Sequence, residues 1–158
     1  MKWLFLVHQV QTPNSRERVK VWRLIKKVGA LLHRNSVYVL PYSKEHLEDF
    51  QWVCQQIRDS KGEASVFISE SPDVKEDRLL RESFQKNRQR DYDALLKSAK
   101  ALLNRIKSQN KKDLAETPHR SLQKEVTELR DALEEIRRID FFSVLIEYFL
   151  NKKIDKIS

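Results

Sequence analysis

The stretch at residues 29–41, "GALLHRNSVYVLP", decides the fold. A helix-terminating glycine leads into two short runs of strand character parted by polar residues. Residues 30–32 predict one strand, His33, Arg34 and Asn35 a tight turn, and residues 36–40 a second strand ended by Pro41. Asn35 suits the left-handed backbone that such turns need. The stretch is therefore a hairpin, and its neighbours on either side say what it joins.

Upstream, "WLFLV" at residues 3–7 is an almost unbroken apolar run of strand length, as expected of a strand inside a sheet. "QTPNS" supplies a turn and a helix cap at Asn14 or Ser15. "RERVKVWRLIKKV" then has helical periodicity, with Val21, Leu24, Ile25 and Val28 on one face and Arg16, Lys20, Arg23 and Lys27 on the other. Downstream, "SKEHLEDFQWVCQQIRDSKG" predicts a helix capped by Ser43, striped by Leu47, Phe50, Cys54 and Ile57, and closed by Gly62. "EASVFISE" supplies a last strand. The order β-α-β-β-α-β is that of the ferredoxin-like split βαβ, a four-stranded antiparallel sheet with two helices on one face.

After "SPD" the texture changes. Residues 74–107 read as one long helix with Leu80, Phe84, Leu95, Ala99, Leu102 and Ile106 near a single stripe, which lapses into polar residues around "QKNRQRD". "SQNKKDLAETPH" is a polar connection. Leu122, Val126, Leu129, Leu133 and Ile136 then repeat at 4-3-4-3 spacing, the seam of an antiparallel partner helix or a coiled coil. "RIDFFSVLIEYFL" predicts a final apolar helix that docks on the sheet domain or on a second copy. The expected architecture is α+β: a ferredoxin-like domain over residues 1–72, then a helical domain over 73–158 made of a hairpin and a docked C-terminal helix.

The chain has 158 residues, 40% hydrophobic and 34% charged, with a formal net charge of +8. That balance fits a polyanionic or oxyanionic partner, or a well-solvated surface. Basic residues outnumber acidic ones in both halves, so the excess is not confined to a tail. The single cysteine, Cys54, excludes an intrachain disulfide and a cysteine-cluster metal site, and it suits a reducing compartment. "MKWLFLVHQV" is broken by His8 and Gln9 and reads as a strand rather than a leader. "IDFFSVLIEYFL" is too short to cross a bilayer and contains Asp140 and Glu147. A cytoplasmic protein with no membrane partner is expected.

Catalytic patterns are absent from this reading. His8, His33, His46 and His119 are far apart and lack the spacing of a zinc helix. Cys54 lies on an apolar helix face, where a buried hydrophobe is expected rather than a nucleophile. With glycine only at positions 29 and 62, no phosphate cradle is present. The expectation is no enzyme, cofactor or metal. The basic row is the leading feature: Arg16, Lys20, Arg23 and Lys27 recur along about 16 Å of helix, a length that can follow a phosphate backbone. Arg18, Lys26 and Arg34 widen the footprint. Spacing alone leaves this reading level with a solvated face.

The segments "RVKVWRLIKKVGALLHRNSVYVLP", "HLEDFQWVCQQIRDSKGEASVF", "SFQKNRQRDYDALL" and "LEEIRRIDFF" resemble the N-terminal region of the ChrB family of chromate resistance regulatory proteins, over nearly the whole chain. The resemblance implies a cytoplasmic, dimeric regulator that binds double-stranded DNA, with chromate or another oxyanion as effector. It places Arg18, Lys20, Trp22 and Arg23 in the matching helix. Full-length members carry a second, C-terminal domain beyond this region. The sheet domain also resembles the CRISPR-associated Cas2 and PaaX-type domains. Cas2-type nucleases place an aspartate at the end of the first strand, whereas "LVHQVQ" has no acid there to hold a divalent metal. The competing expectation is a non-catalytic interaction module, holding a partner such as a separate C-terminal-type domain through the seam at Leu122–Ile136 and the aromatic segment after it.

Overall fold

The computed structural model describes residues 1–9, 15–108 and 119–144. Strands β1 (Lys2–Gln9), β2 (Leu31–Arg34), β3 (Val37–Pro41) and β4 (Glu63–Glu70) form one sheet in the order β2-β3-β1-β4, every neighbouring pair antiparallel. Helices α1 (Ser15–Lys27) and α2 (Lys44–Asp59) fall between β1 and β2 and between β3 and β4. They are followed by α3 (Val74–Ser108) and α4 (His119–Arg138). The chain divides into two compact units, Met1–Ser83 and Phe84–Ser158, the boundary falling inside α3.

In the first unit, β1 is central, and its alternation builds the core. Leu4 and Leu6 are fully buried on the face that α2 covers, and Val21, Ile25, Phe50, Val53 and Ile57 from the two helices are buried with them. Each such side chain contributes roughly 1.5–3 kcal/mol relative to exposure. Trp3, on the opposite face of the strand, is equally buried, and its indole N–H donates to Asp77 of α3 at 2.7 Å.

The hairpin within residues 29–41 is tighter than its sequence suggests. β2 continues through His33 and Arg34, so the turn shrinks to Asn35 and Ser36, with Asn35 at φ 48°. The extra strand residue is absorbed by a register irregularity between Leu32 and Arg34. Ahead of it, α1 ends as the glycine predicts. Gly29 adopts φ 77°, its N–H donates to the Lys26 carbonyl, and the Ala30 N–H reaches back to Ile25, which is a Schellman closure.

The end of α2 corrects one expectation. Ser43 caps the helix as read, its hydroxyl accepting from the His46 N–H at 3.0 Å. At the other end, however, the left-handed residue is Lys61 (φ 59°), not Gly62. Lys61 and Gly62 donate to the Arg58 and Ile57 carbonyls, the same closure as in α1. Gly62 is needed for room instead: a Cβ there would lie 2.8 Å from Ile57 Cγ2 and 2.9 Å from the Gln9 carbonyl.

In the second unit the stripe of α3 does not lapse. Phe84, Arg88 and Tyr92 continue it at four-residue spacing, all buried, so "QKNRQRD" carries the stripe through one polar side chain, Arg88. The Tyr92 hydroxyl donates to Asp140 at 3.0 Å, and burial followed by this bond pushes the phenol well above its usual range. Arg88 gives Nη2 to Asp91 at 3.0 Å, while its Nε and Nη1 are buried without a hydrogen-bond partner among the described residues. Phe141 and Phe142 pack edge-on against Phe84, with centroids 5.9 and 5.7 Å away. Glu125 of α4 pairs with Arg105 of α3. The seam residues Leu122, Leu129, Leu133 and Ile136 are half-buried, and Val126 is exposed. Of the helix expected from "RIDFFSVLIEYFL", residues 139–143 form turns rather than helix, and the part beyond residue 144 lies outside the described residues.

Two stability measurements follow from these environments. Gly62→Ala destabilises the protein by about 1–3 kcal/mol, because the methyl overpacks against a backbone carbonyl; a denaturant midpoint equal to that of the parent contradicts this. Arg88→Met is neutral or stabilising in thermal melts despite the residue's burial, since a cation with two unpaired donors gives way to an apolar side chain of similar size; a loss above about 2 kcal/mol contradicts this.

Candidate nucleic-acid interface

The basic residues of α1 are positioned by what the same helix buries. Val21, Ile25 and Val28 are buried and Leu24 is half-buried, which fixes the rotation of the helix about its axis. At about 100° per residue, Arg16, Lys20, Arg23 and Lys27 then face away from the core, and all four are exposed. Arg16, Lys20 and Arg23 line one shallow groove of about 490 Å³ with Val19 and Leu24. Glu17, the acid of the first turn, is turned aside and accepts from the Ser60 hydroxyl at 2.8 Å.

The other three cations do not join this row. Arg18, Trp22 and Lys26 recur at four-residue spacing along a second strip, beside the buried face. Lys26 Nζ lies 5.7 Å from the Trp22 ring centroid, and Trp22 is half-exposed. Arg18 and Trp22 line a second pocket, of about 240 Å³, with His8, Gln9, Val21, Ser36 and Tyr38. Arg34 is exposed at the end of β2, next to the turn. The seven candidate residues therefore form two strips and a hairpin-tip charge rather than one footprint. Arg18, Lys20, Arg23, Lys26 and Arg34 take part in no ion pair with the described residues.

His8 joins the second pocket to the sheet. Its ring stacks on Tyr38 at 5.6 Å and 18°, and its backbone N–H donates to the Ser36 carbonyl at 3.2 Å. Both ring nitrogens are buried without a hydrogen-bond partner among the described residues. Burial therefore pulls the imidazole below its ordinary value, and it raises the Tyr38 phenol. The sequence placed His8 at the end of β1 but carried no sign that its nitrogens are orphaned, because that depends on the hairpin folding back beside it. Cys54 is buried as expected, and burial raises its thiol against the opposing pull of Arg58.

Among the described residues, no group of three or more His, Cys, Asp or Glu side chains is arranged to hold a metal ion. Among the same residues, no helix is long and apolar enough to cross a membrane.

The lowered His8 value sets a sign for acid sensitivity. The unfolded chain takes up a proton near pH 6.5, while the folded chain resists it, so His8's contribution is complete above pH 6.5 and is lost as pH falls below that value. His8→Phe keeps the stacked ring and removes this share of the pH dependence in denaturant titrations between pH 7.5 and 5. An unaltered slope contradicts the assignment.

A family model described as "Protein ChrB, N-terminal" matches residues 18–156. No curated protein and no solved structure matches the chain.

Proposed function

The chain belongs to the family of ChrB N-terminal regions, which are chromate-resistance regulatory proteins, and from this premise we propose that it binds double-stranded DNA as a homodimer through α1. The observation that carries the reading is the groove of Arg16, Lys20 and Arg23, set on the side of α1 opposite its buried face. Lys20 and Arg23 have no acid partner among the described residues. Guanidinium and ammonium groups held in a line by a rigid helix meet successive phosphates without first breaking internal pairs. Phosphate contacts of this kind set affinity and register, and sequence is read separately at base edges. Trp22, which shares a pocket with Ser36 of the hairpin turn, Lys26 over its ring, and Arg34 next to the turn are the candidates for that second role.

The sheet unit is read as ferredoxin-like. Its β-α-β-β-α-β succession and its strand order β2-β3-β1-β4 support that arrangement. The proposal takes the protein as cytoplasmic and as a binding protein without a catalytic step. Chromate or a related oxyanion as effector rests on the family alone.

Fluorescence anisotropy on duplex DNA from the chain's own promoter region tests the reading. Changing Arg16, Lys20, Arg23 and Lys27 together to Gln lowers affinity at least tenfold, with an unchanged far-UV circular dichroism spectrum. Equal affinity for the parent and the four-residue variant overturns the proposal.

A further inference from the structure

Among the described residues, β4 is an edge of the sheet, paired only with β1. Folded proteins blunt an exposed edge with proline, lysine, a bulge or a short strand. The opposite edge, β2, follows that rule, with four residues, a register irregularity and Arg34 at its end. β4 does not. It runs for eight residues, "EASVFISE", with neither proline nor lysine and no charge between Glu63 and Glu70. Phe67 and Ile68, on opposite faces of the strand, are 57% and 53% exposed, and Ser65 and Ser69 are exposed as well. The second half of the strand is thus bare on both faces and along its edge.

We propose that β4 is the contact with a second copy of this chain, pairing antiparallel with its own counterpart about a twofold axis at Phe67. Charge and register together select this occupant. Centred on Phe67, the pairing opposes Phe67 to Phe67, Val66 to Ile68, Ser65 to Ser69 and Ala64 to Glu70, and Glu63 meets Ser71 beyond the strand. Apolar residues meet apolar ones, and no like charges stand directly opposite. Residues paired in this way share a face, so the helix-bearing faces of the two sheets continue on one side. A register one step shorter opposes Glu63 to Glu70 twice and also mismatches the faces of the two sheets. A chain of net charge +8 approaches its own copy most readily through uncharged surface, and residues 64–69 supply it.

The pairing has a consequence for the DNA reading, on which this step, unlike the interface itself, rests. α2 packs on β4 and β1, and α1 packs on α2 and lines a pocket with Tyr38 of β3. With strands about 4.8 Å apart and packed helices about 10 Å apart, the two α1 helices of the pair lie on the order of 30 Å from one another. They share one side of a continuous sheet. One turn of duplex DNA separates half-sites by about 34 Å.

Light scattering and sedimentation velocity on the full chain test the interface. The parent chain is expected to be a dimer. Phe67→Lys, at a side chain that is more than half exposed, gives a monomer with an unchanged circular dichroism spectrum. Mild oxidation links Phe67→Cys into a covalent dimer and leaves Glu63→Cys unlinked, with Cys54 buried and inert. A monomeric parent, a dimeric Phe67→Lys variant, or equal cross-linking at positions 63 and 67 overturns the proposal. A parent dimer that fails to bind DNA removes the DNA reading and leaves the interface standing. A monomeric parent that binds DNA does the reverse.

Discussion

The arrangement depends on the burial of one side of α1. Val21, Ile25 and Val28 are almost wholly withdrawn from water, and together they leave the helix a single rotation about its axis. The closure at Gly29 then turns the chain directly into β2, so the helix can neither slide nor unwind without breaking the hairpin behind it. Because the apolar and cationic positions repeat with the same period, fixing one fixes the other. The outward row is therefore a by-product of core packing, held in place by side chains that never meet a ligand.

The same rotation divides the cations by environment. Lys20 and Arg23 are exposed beside a shallow groove, where an ammonium point charge and a planar guanidinium fork suit contacts with successive phosphates. Arg18 and Trp22 border a smaller pocket whose floor is the His8–Tyr38 stack. This pocket links α1, the end of β1 and the start of β3, so anything that alters the charge of His8 acts on three elements at once. A histidine whose two ring nitrogens find no partner among the described residues is an expensive residue to keep. Its cost is tolerated where the aromatic stack fixes the hairpin against the sheet.

Periodicity made the element order legible, because each helix and strand of the first unit has a clean apolar repeat and a turn residue at its end. "EASVFISE" and Ser43 were readable to the residue for that reason. The rest failed where a long-range contact overrides local chemistry. Lys61 takes the left-handed position at the end of α2, because Gly62 is reserved for a backbone approach to Gln9 that no local pattern encodes. In α3, Arg88 and Tyr92 look like a break in the stripe when scored by polarity, although their four-residue spacing from Phe84 continues it; only the partners, Asp91 and Asp140, show why polar side chains sit there. The candidate interface was legible as a row but not as two strips. Arg18 and Lys26 are adjacent to the row in sequence, and it is the helical angle together with the hairpin that assigns them elsewhere.

The salt dependence of duplex binding tests the central claim most directly. Each phosphate neutralised by a side chain contributes about 0.9 to the slope of log affinity against log salt. If the outward row meets the backbone, replacing Lys20 and Arg23 by Gln flattens that slope by about 2, uniformly across DNA sequences. A slope unchanged by those two substitutions would mean that the row faces solvent and nothing more.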